Sequence, residues 1–210
     1  MYTVFGDIYS GNCYKVALLL TLLGREFEWV RVSVLDGETQ SPEFRARNPN
    51  GKIPLLEISP GEYLPESNAI LNYLSEGSPY LPATGLPRAR VLQWQFFEQY
   101  SHEPSIAVAR FIKRYLGTPA DKAEQLKQKQ AAGYKALNVM EDQLNKTDFI
   151  AGHEFTIADI SLHAYTHVAD EGGFSLDDYP AINAWLERIS HQRGYVSMAE
   201  AAMRLPGNVQ

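Results

Sequence analysis

Two short groups of polar residues in the first third of the sequence could bind a small molecule that carries charges of both signs. Lys52 stands before Ile53-Pro54, and Glu66 stands before Ser67. A lysine ammonium binds carboxylates, and a glutamate accepts hydrogen bonds from an ammonium group. A serine hydroxyl and the open N–H groups of a helix start can hold a second carboxylate. The two groups are therefore complementary to the two ends of a zwitterionic ligand.

A third candidate is the stretch Ser10-Gly11-Asn12-Cys13, which precedes and opens the first predicted helix. A Cys-x-x-Cys pair at this place would exchange disulfides, but the first position here is a serine. Its hydroxyl can still donate to a thiolate of a bound ligand, and the partial positive charge of the helix start favours the anion. Asn12 can add an amide donor. We expect Cys13, on the apolar stripe of the helix, to be buried and inert.

The spacing of apolar side chains predicts the elements that position these residues. Residues 2–5 alternate as a strand, and residues 13–23 repeat at helical spacing until Gly24. Val30, Val32 and Val34 then indicate a second strand, which the helical crossover makes parallel to the first.

A short helix opened by Ser41-Pro42 follows. Residues 53–64 then form a hairpin that turns at Ser59-Pro60-Gly61, and a further helix starts at residue 67. The order βαβαββα predicts a thioredoxin-like α/β domain over residues 1–78, with a mixed four-stranded sheet.

The rest of the chain has no strand pattern. Residues 79–86 are rich in proline and glycine and indicate a linker, and residues 87–210 predict an all-helical domain. We expect Pro104 to kink the first of these helices. Later helices are predicted to start near Thr118, Thr156, Pro180 and Tyr195.

The chain resembles the cytosolic glutathione transferases over essentially its whole length. The segment Asn48 to Leu56 is similar to a family segment that leads into the third strand, and Glu66-Ser67 is similar to the family's cap of the following helix. Thr156 and Asp159 match the capping box that is the family's folding signature. The match is to bacterial, serine-type members similar to the theta, delta and nu classes.

The resemblance implies roles for the site residues. The Ile53–Pro54 bond is cis in the family, which would let the Ile53 backbone pair with the cysteinyl part of glutathione, with Lys52 at the glycine carboxylate. Glu66 and Ser67 would grip the γ-glutamyl end. The polar residues Gln40 and Thr39 would touch the glycine end. Ser10, with Asn12, would face the sulfur; Tyr9 is the alternative, because some classes use a tyrosine.

The implied function is a detoxifying transferase that activates the glutathione thiol for attack on small electrophiles, with the electrophile pocket contributed by the helical domain. Two alternatives stay open: glutathione-dependent reduction of disulfides or peroxides, and a transferase-like binding module without catalysis. The resemblance also implies a homodimer, which would explain Phe44 as an apolar residue in a surface loop.

Composition excludes several other classes. The 210 residues carry a net charge of −6, and their lysines and arginines form no run, which argues against nucleic acid or a polybasic membrane anchor. One cysteine and no signal or membrane-spanning segment indicate the cytoplasm.

Asp159, His163 and His167 share a helical face, which is a spacing seen in metal sites. Asp159 is expected to act as a cap, so we expect no metal there. Glutathione, as co-substrate, is the one cofactor that we expect.

Overall fold

A computed structural model describes residues 1–206, and the chain divides into two compact units. Unit 1 comprises Met1–Ser78 together with the described residues from Gln192 onward, and unit 2 is Pro79–His191. The sequence analysis assigned everything from residue 87 onward to the helical domain. The difference concerns the C-terminal segment, because its helix Met198–Arg204 packs on the first helix of the chain. A hydrogen bond also joins the two segments: the Tyr14 hydroxyl donates to the Val196 carbonyl at 2.8 Å.

Unit 1 is built on the predicted mixed sheet. Its strands and helices are β1 (Tyr2–Gly6), α1 (Gly11–Leu22), β2 (Phe27–Arg31), α2 (Pro42–Arg47), β3 (Leu55–Ser59), β4 (Glu62–Pro65) and α3 (Ser67–Ser75). The strands lie in the order β2-β1-β3-β4; β1 and β2 are parallel, and the other neighbours are antiparallel. This is the thioredoxin-like arrangement that the order of elements predicted.

Strand β2 begins and ends earlier than the alternating valines indicated. It covers Phe27–Arg31, so Val34 lies outside it and is exposed. The reason is a turn that closes just beyond the strand: the Ser33 N–H donates to a Glu38 carboxylate oxygen at 2.6 Å, and the Glu38 N–H donates back to the Ser33 carbonyl at 3.1 Å.

The sequence analysis expected Phe44 to lie on the surface, but the structure buries it. Its side chain is buried in a cluster with Phe5, Val32 and Leu55, against which Ile53 also packs. Helix α2 starts at the Ser41 cap, which accepts from the Phe44 N–H at 3.2 Å, and this start sets the aromatic ring inward. Phe44 therefore supplies no support for a dimer contact.

The regular structure of unit 2 is helical apart from an isolated β-bridge between Phe149 and Gly152. Its α-helices are α4 (Gly85–Phe97), α5 (Glu103–Arg110), α6 (Ala123–Leu144), α7 (Ile157–Thr166) and α8 (Pro180–Ser190), and α9 (Met198–Arg204) belongs to unit 1. Pro104 lies in the first turn of α5, and the backbone before it is already helical at His102. The irregularity expected there takes the form of a π-helical turn over Glu98–His102.

The last helix begins later than predicted. The Ser197 hydroxyl accepts from the Glu200 N–H, and the Glu200 carboxylate accepts from the Ser197 N–H, so α9 starts at Met198 and not near Tyr195. Across residues 1–206, no helix is both long enough and apolar enough to cross a membrane.

Candidate active site

The loop before β3 is fixed by Asn48, a buried residue that opens the segment named in the sequence analysis but was given no role there. Its amide nitrogen donates to the Lys52 carbonyl at 2.7 Å, and its amide oxygen accepts from the Asn50 N–H at 3.1 Å. The Lys52 side chain is exposed. The loop therefore presents the lysine from a backbone that one asparagine holds at Asn50 and at Lys52.

The Ile53–Pro54 peptide bond is cis, as the resemblance implied. Ile53 packs its side chain against the cluster around Phe44. It precedes Leu55, the first β3 residue that pairs with neighbouring strands, and within residues 1–206 we find no hydrogen bond to the Ile53 backbone. Its N–H and C=O are thus available to an extended ligand that adds to this edge.

The predicted residues Thr39 and Gln40 support this loop at Gly51. The Gln40 amide nitrogen donates to the Gly51 carbonyl at 3.0 Å and to the Thr39 hydroxyl at 3.2 Å. Gly51 has φ +61, and a Cβ there would lie 2.7 Å from the Gln40 amide nitrogen. Thr39 is buried. Both residues brace the loop that carries Lys52, and glycine is required at position 51.

Glu66 and Ser67 form the start of α3. Glu66 occupies the N-cap position with φ 69 and ψ 110, and its side chain does not cap the helix. A non-glycine residue in this region costs about 1–3 kcal/mol. Its carboxylate is exposed and receives a weak hydrogen bond from the Asn50 side chain at 3.5 Å. The strained backbone turns Glu66 toward the Asn48–Lys52 loop, so two separate sequence motifs meet at one place.

Ser10 and Asn12 lie at the start of α1. Ser10 is the N-cap, with an extended backbone and no side-chain cap bond, and its carbonyl accepts from the N–H groups of Cys13 and Tyr14. Asn12 reaches α3, because its side-chain oxygen accepts from the Ser67 hydroxyl at 3.3 Å. The structure therefore brings Asn12 and Ser67 together, although they are far apart in sequence.

Cys13 is fully buried, as predicted. Burial raises the pKa of its thiol to about 12, against the opposing effect of a hydrogen bond with the Ser10 side chain. The thiol therefore stays protonated at neutral pH and offers no competing nucleophile. The close approach of Gly6, where a Cβ would lie 2.8 Å from the Cys13 sulfur, confirms how tightly the thiol is enclosed.

Lys15 is a site residue that the sequence reasoning missed. Its side chain is 0% exposed, and its ammonium donates to the Asn12 side-chain oxygen at 2.7 Å and to the Ser67 hydroxyl at 3.4 Å. The signal was present in the sequence, since Lys15 interrupts an otherwise apolar stretch of the first helix. This signal is weak, because lysine is almost never fully buried and its charge predicts exposure.

Two buried charged residues of unit 2, Asp159 and Arg110, have structural roles. Asp159 accepts from the N–H groups of Ile150 and Thr156, from the Thr156 hydroxyl and from the Trp185 indole, which completes the capping box of α7. Buried Arg110 pairs with Glu171 at 2.6 Å.

The two histidines that share the Asp159 face stack on each other. The His163 and His167 rings lie 4.5 Å apart and nearly parallel. Within residues 1–206, no group of three or more His, Cys, Asp or Glu side chains could hold a metal ion.

Comparison with known proteins shows the family of the chain. Two family models match: the N-terminal domain of glutathione S-transferases over residues 1–76 and their C-terminal domain over residues 100–193. Glutathione S-transferase 3 of Zea mays is 32% identical over 97% of this chain and 95% of its own length.

Solved structures give the same answer. A glutathione S-transferase from Pseudomonas fluorescens Pf-5 is 56% identical, with a TM-score of 0.93 over 94% of this chain and 98% of that one. A family member from the same strain, solved with two glutathione molecules bound, is 25% identical with a TM-score of 0.82 over 95% and 92% of the two chains. The chain belongs to the glutathione S-transferase family.

Proposed function

We propose that this transferase binds glutathione along the Asn48–Pro54 loop and the start of α3, and that Ser10 stabilises its thiolate for attack on a small electrophile. Asn12 assists Ser10 as a second donor. The observation that carries the proposal is the meeting of three separate segments in unit 1, through the Asn50–Glu66 and Asn12–Ser67 contacts.

The charges support one orientation of glutathione. Exposed Lys52 at one end suits the glycine carboxylate, and the Glu66 carboxylate suits the γ-glutamyl ammonium. Ser67 and the start of α3 suit the γ-glutamyl carboxylate. The Ile53 backbone would pair with the cysteinyl residue between them, as an added strand. Thr39 and Gln40 act indirectly, by holding Gly51 beside Lys52.

In the chemical step, the main contribution of the protein is to stabilise the glutathione thiolate. The glutathione thiol releases its proton to solvent, and the thiolate that remains accepts a hydrogen bond from the Ser10 hydroxyl at the start of α1. The thiolate attacks an electrophilic carbon, the new S–C bond forms, and the leaving group departs with its electron pair. Ser10 lowers the barrier by raising the fraction of thiolate at neutral pH.

The experiment that tests the role of Ser10 is turnover of an aryl halide with glutathione by Ser10→Ala. We expect kcat to fall by about 100-fold, with the glutathione affinity measured by calorimetry nearly unchanged. Ser59→Ala, which removes an exposed hydroxyl at the end of β3, is the matched control and should keep full activity. Unchanged turnover in Ser10→Ala would remove Ser10 from the mechanism and leave Tyr9 as the next candidate.

Transfer is favoured over the alternatives because the relatives are named transferases. A comparison of an aryl halide with a disulfide substrate checks this choice, and conjugation should be the faster reaction. We further propose that the protein is a cytoplasmic homodimer and that its helical unit contributes the electrophile pocket. Sedimentation should give twice the chain mass.

A further inference from the structure

We infer that Lys15 is a positioning residue of the glutathione site, which sets the orientation of Asn12 and Ser67. The inference rests on the proposed function and adds to it a residue that touches neither glutathione nor the electrophile. Lys15 is fully buried, and its ammonium lies within hydrogen-bonding distance of both side chains, at 2.7 Å and 3.4 Å.

The contact with Lys15 decides which way the Asn12 amide points. An ammonium group has donors only, so the atom that faces it at 2.7 Å must be the amide oxygen. The same oxygen accepts from the Ser67 hydroxyl at 3.3 Å. The amide nitrogen, the only donor of this side chain, therefore lies on the side away from Lys15. Asn12 can assist at the sulfur only with this nitrogen, so the lysine selects the useful orientation.

The same contact decides what the Ser67 hydroxyl does. Its oxygen accepts from Lys15, which leaves its proton for an acceptor: the Asn12 oxygen in this structure, or a ligand carboxylate at the start of α3. The three side chains form a closed triangle in which each contacts the other two. Because Asn12 belongs to α1 and Ser67 to α3, Lys15 also ties the helix start that faces the sulfur to the one that faces the γ-glutamyl end.

A neutral apolar residue of similar length would fill the same space without making these bonds. In Lys15→Met, the Asn12 amide oxygen loses its shorter bond, the one from a charged donor, so the orientation of the amide is less firmly set. We expect the KM for glutathione to rise about tenfold, as for the loss of hydrogen bonds to a charged group. The pH profile of kcat/KM should move to higher pH, because the second donor to the thiolate is no longer held in place.

The test measures KM for glutathione, kcat and the pH profile with an aryl halide for the wild type, Lys15→Met and Lys15→Arg. The arginine variant, which keeps the charge and the donors, should recover most of the loss in affinity. Thr21→Val is the control in the same helix, since the Thr21 hydroxyl bonds only within α1, to the Ala17 carbonyl. Neither its KM nor its pH profile should change.

An unchanged KM and pH profile in Lys15→Met would overturn the inference. Should that variant not fold, Lys15→Gln, which keeps a polar head in the buried position, is measured in the same way, and wild-type values in it would overturn the inference equally. A wild-type protein that neither binds glutathione nor turns over the aryl halide would instead refute the proposed function. The two failures are therefore distinguishable.

Discussion

At the start of α7, both carboxylate oxygens of Asp159 are occupied by donors from the same unit, whereas at the starts of α1 and α3 neither Ser10 nor Glu66 caps its helix with its side chain. The residue types are alike in the two regions. The first region is closed, and its polar groups serve the fold. The second is held by Asn48, Gln40 and Lys15, while the Ser10 and Glu66 side chains cap neither helix, which suits the glutathione site that we propose there.

The largest effect that would sharpen this contrast is expected for Asp159→Ala. The change leaves the donors of Ile150, Thr156 and Trp185 buried without an acceptor, at about 1–3 kcal/mol each. We expect the free energy of unfolding to fall by about 3–5 kcal/mol. Urea unfolding monitored by circular dichroism measures this loss. Glutathione affinity of the folded protein should not change. A loss below about 1 kcal/mol would show that the cap is not structural.

The second largest effect is expected from a lower pH, which should reduce the stability of the region around α7. Burial lowers the pKa of His167 to about 4 and that of His163 well below its ordinary value of 6.5, so the unfolded chain binds more protons below pH 6.5 and stability falls as the pH falls. His167 alone accounts for about 2 kcal/mol between pH 7 and 5. Burial raises the pKa of Asp159 to about 6, and this has the opposite sign, so it offsets part of the loss.

Thermal unfolding at pH 7 and pH 5 checks this prediction with a matched pair. His167 and His191 both donate from Nδ1 to the carbonyl four residues earlier, but His167 is largely buried whereas His191 is exposed. His167→Gln should reduce the pH dependence, and His191→Gln should leave it as in the wild type. Equal slopes in all three proteins would contradict the assignment.

The uncapped region should respond in the opposite sense to Glu66→Gly. Glycine tolerates φ 69, so the free energy of unfolding should rise by about 1 kcal/mol, while the KM for glutathione should rise about tenfold through the lost carboxylate. Glu66→Gln separates the two effects, because it keeps the backbone strain and removes the charge. The prediction fails if Glu66→Gly lowers stability.

The smallest effect is expected from the brace on the Lys52 loop. Gln40→Ala removes the bond to the Gly51 carbonyl and leaves Lys52 itself in place. We expect glutathione affinity to weaken by about threefold, measured by calorimetry, with kcat unchanged. Glu43→Ala, an exposed change in α2, is the control and should have no effect on affinity.

Much of unit 1 could be predicted from the sequence because its signals are local. The strand β1, the turn at Ser59-Pro60-Gly61 and the helix start at Ser67 each depend on neighbouring residues. The end of β2 could not be predicted, because it is set by Glu38 folding back onto Ser33. The burial of Phe44 likewise depends on contacts with Phe5 and Leu55, which are far away in sequence.

The candidate site divides in the same way. Motif residues such as Lys52 and Glu66 could be named from the sequence, and so could Gln40, but the sequence did not show that Gln40 supports the loop through the Gly51 carbonyl. Lys15 carries a charge that predicts exposure, and only the packing of α1 on α3 buries it beside Ser67. Asn48 belongs to the segment that the sequence analysis quoted, but only the structure shows that its side chain bonds the Lys52 carbonyl and the Asn50 N–H.

The most direct test of the central claim is the pKa of the glutathione thiol bound to the protein, followed by the ultraviolet absorbance of the thiolate. In the wild type we predict a pKa about 2 pH units below that of a free thiol, and in Ser10→Ala a value that returns most of the way. Asp159→Asn, in the closed region, should leave it at the wild-type value. A bound thiol with the same pKa in the wild type and in Ser10→Ala would contradict the account.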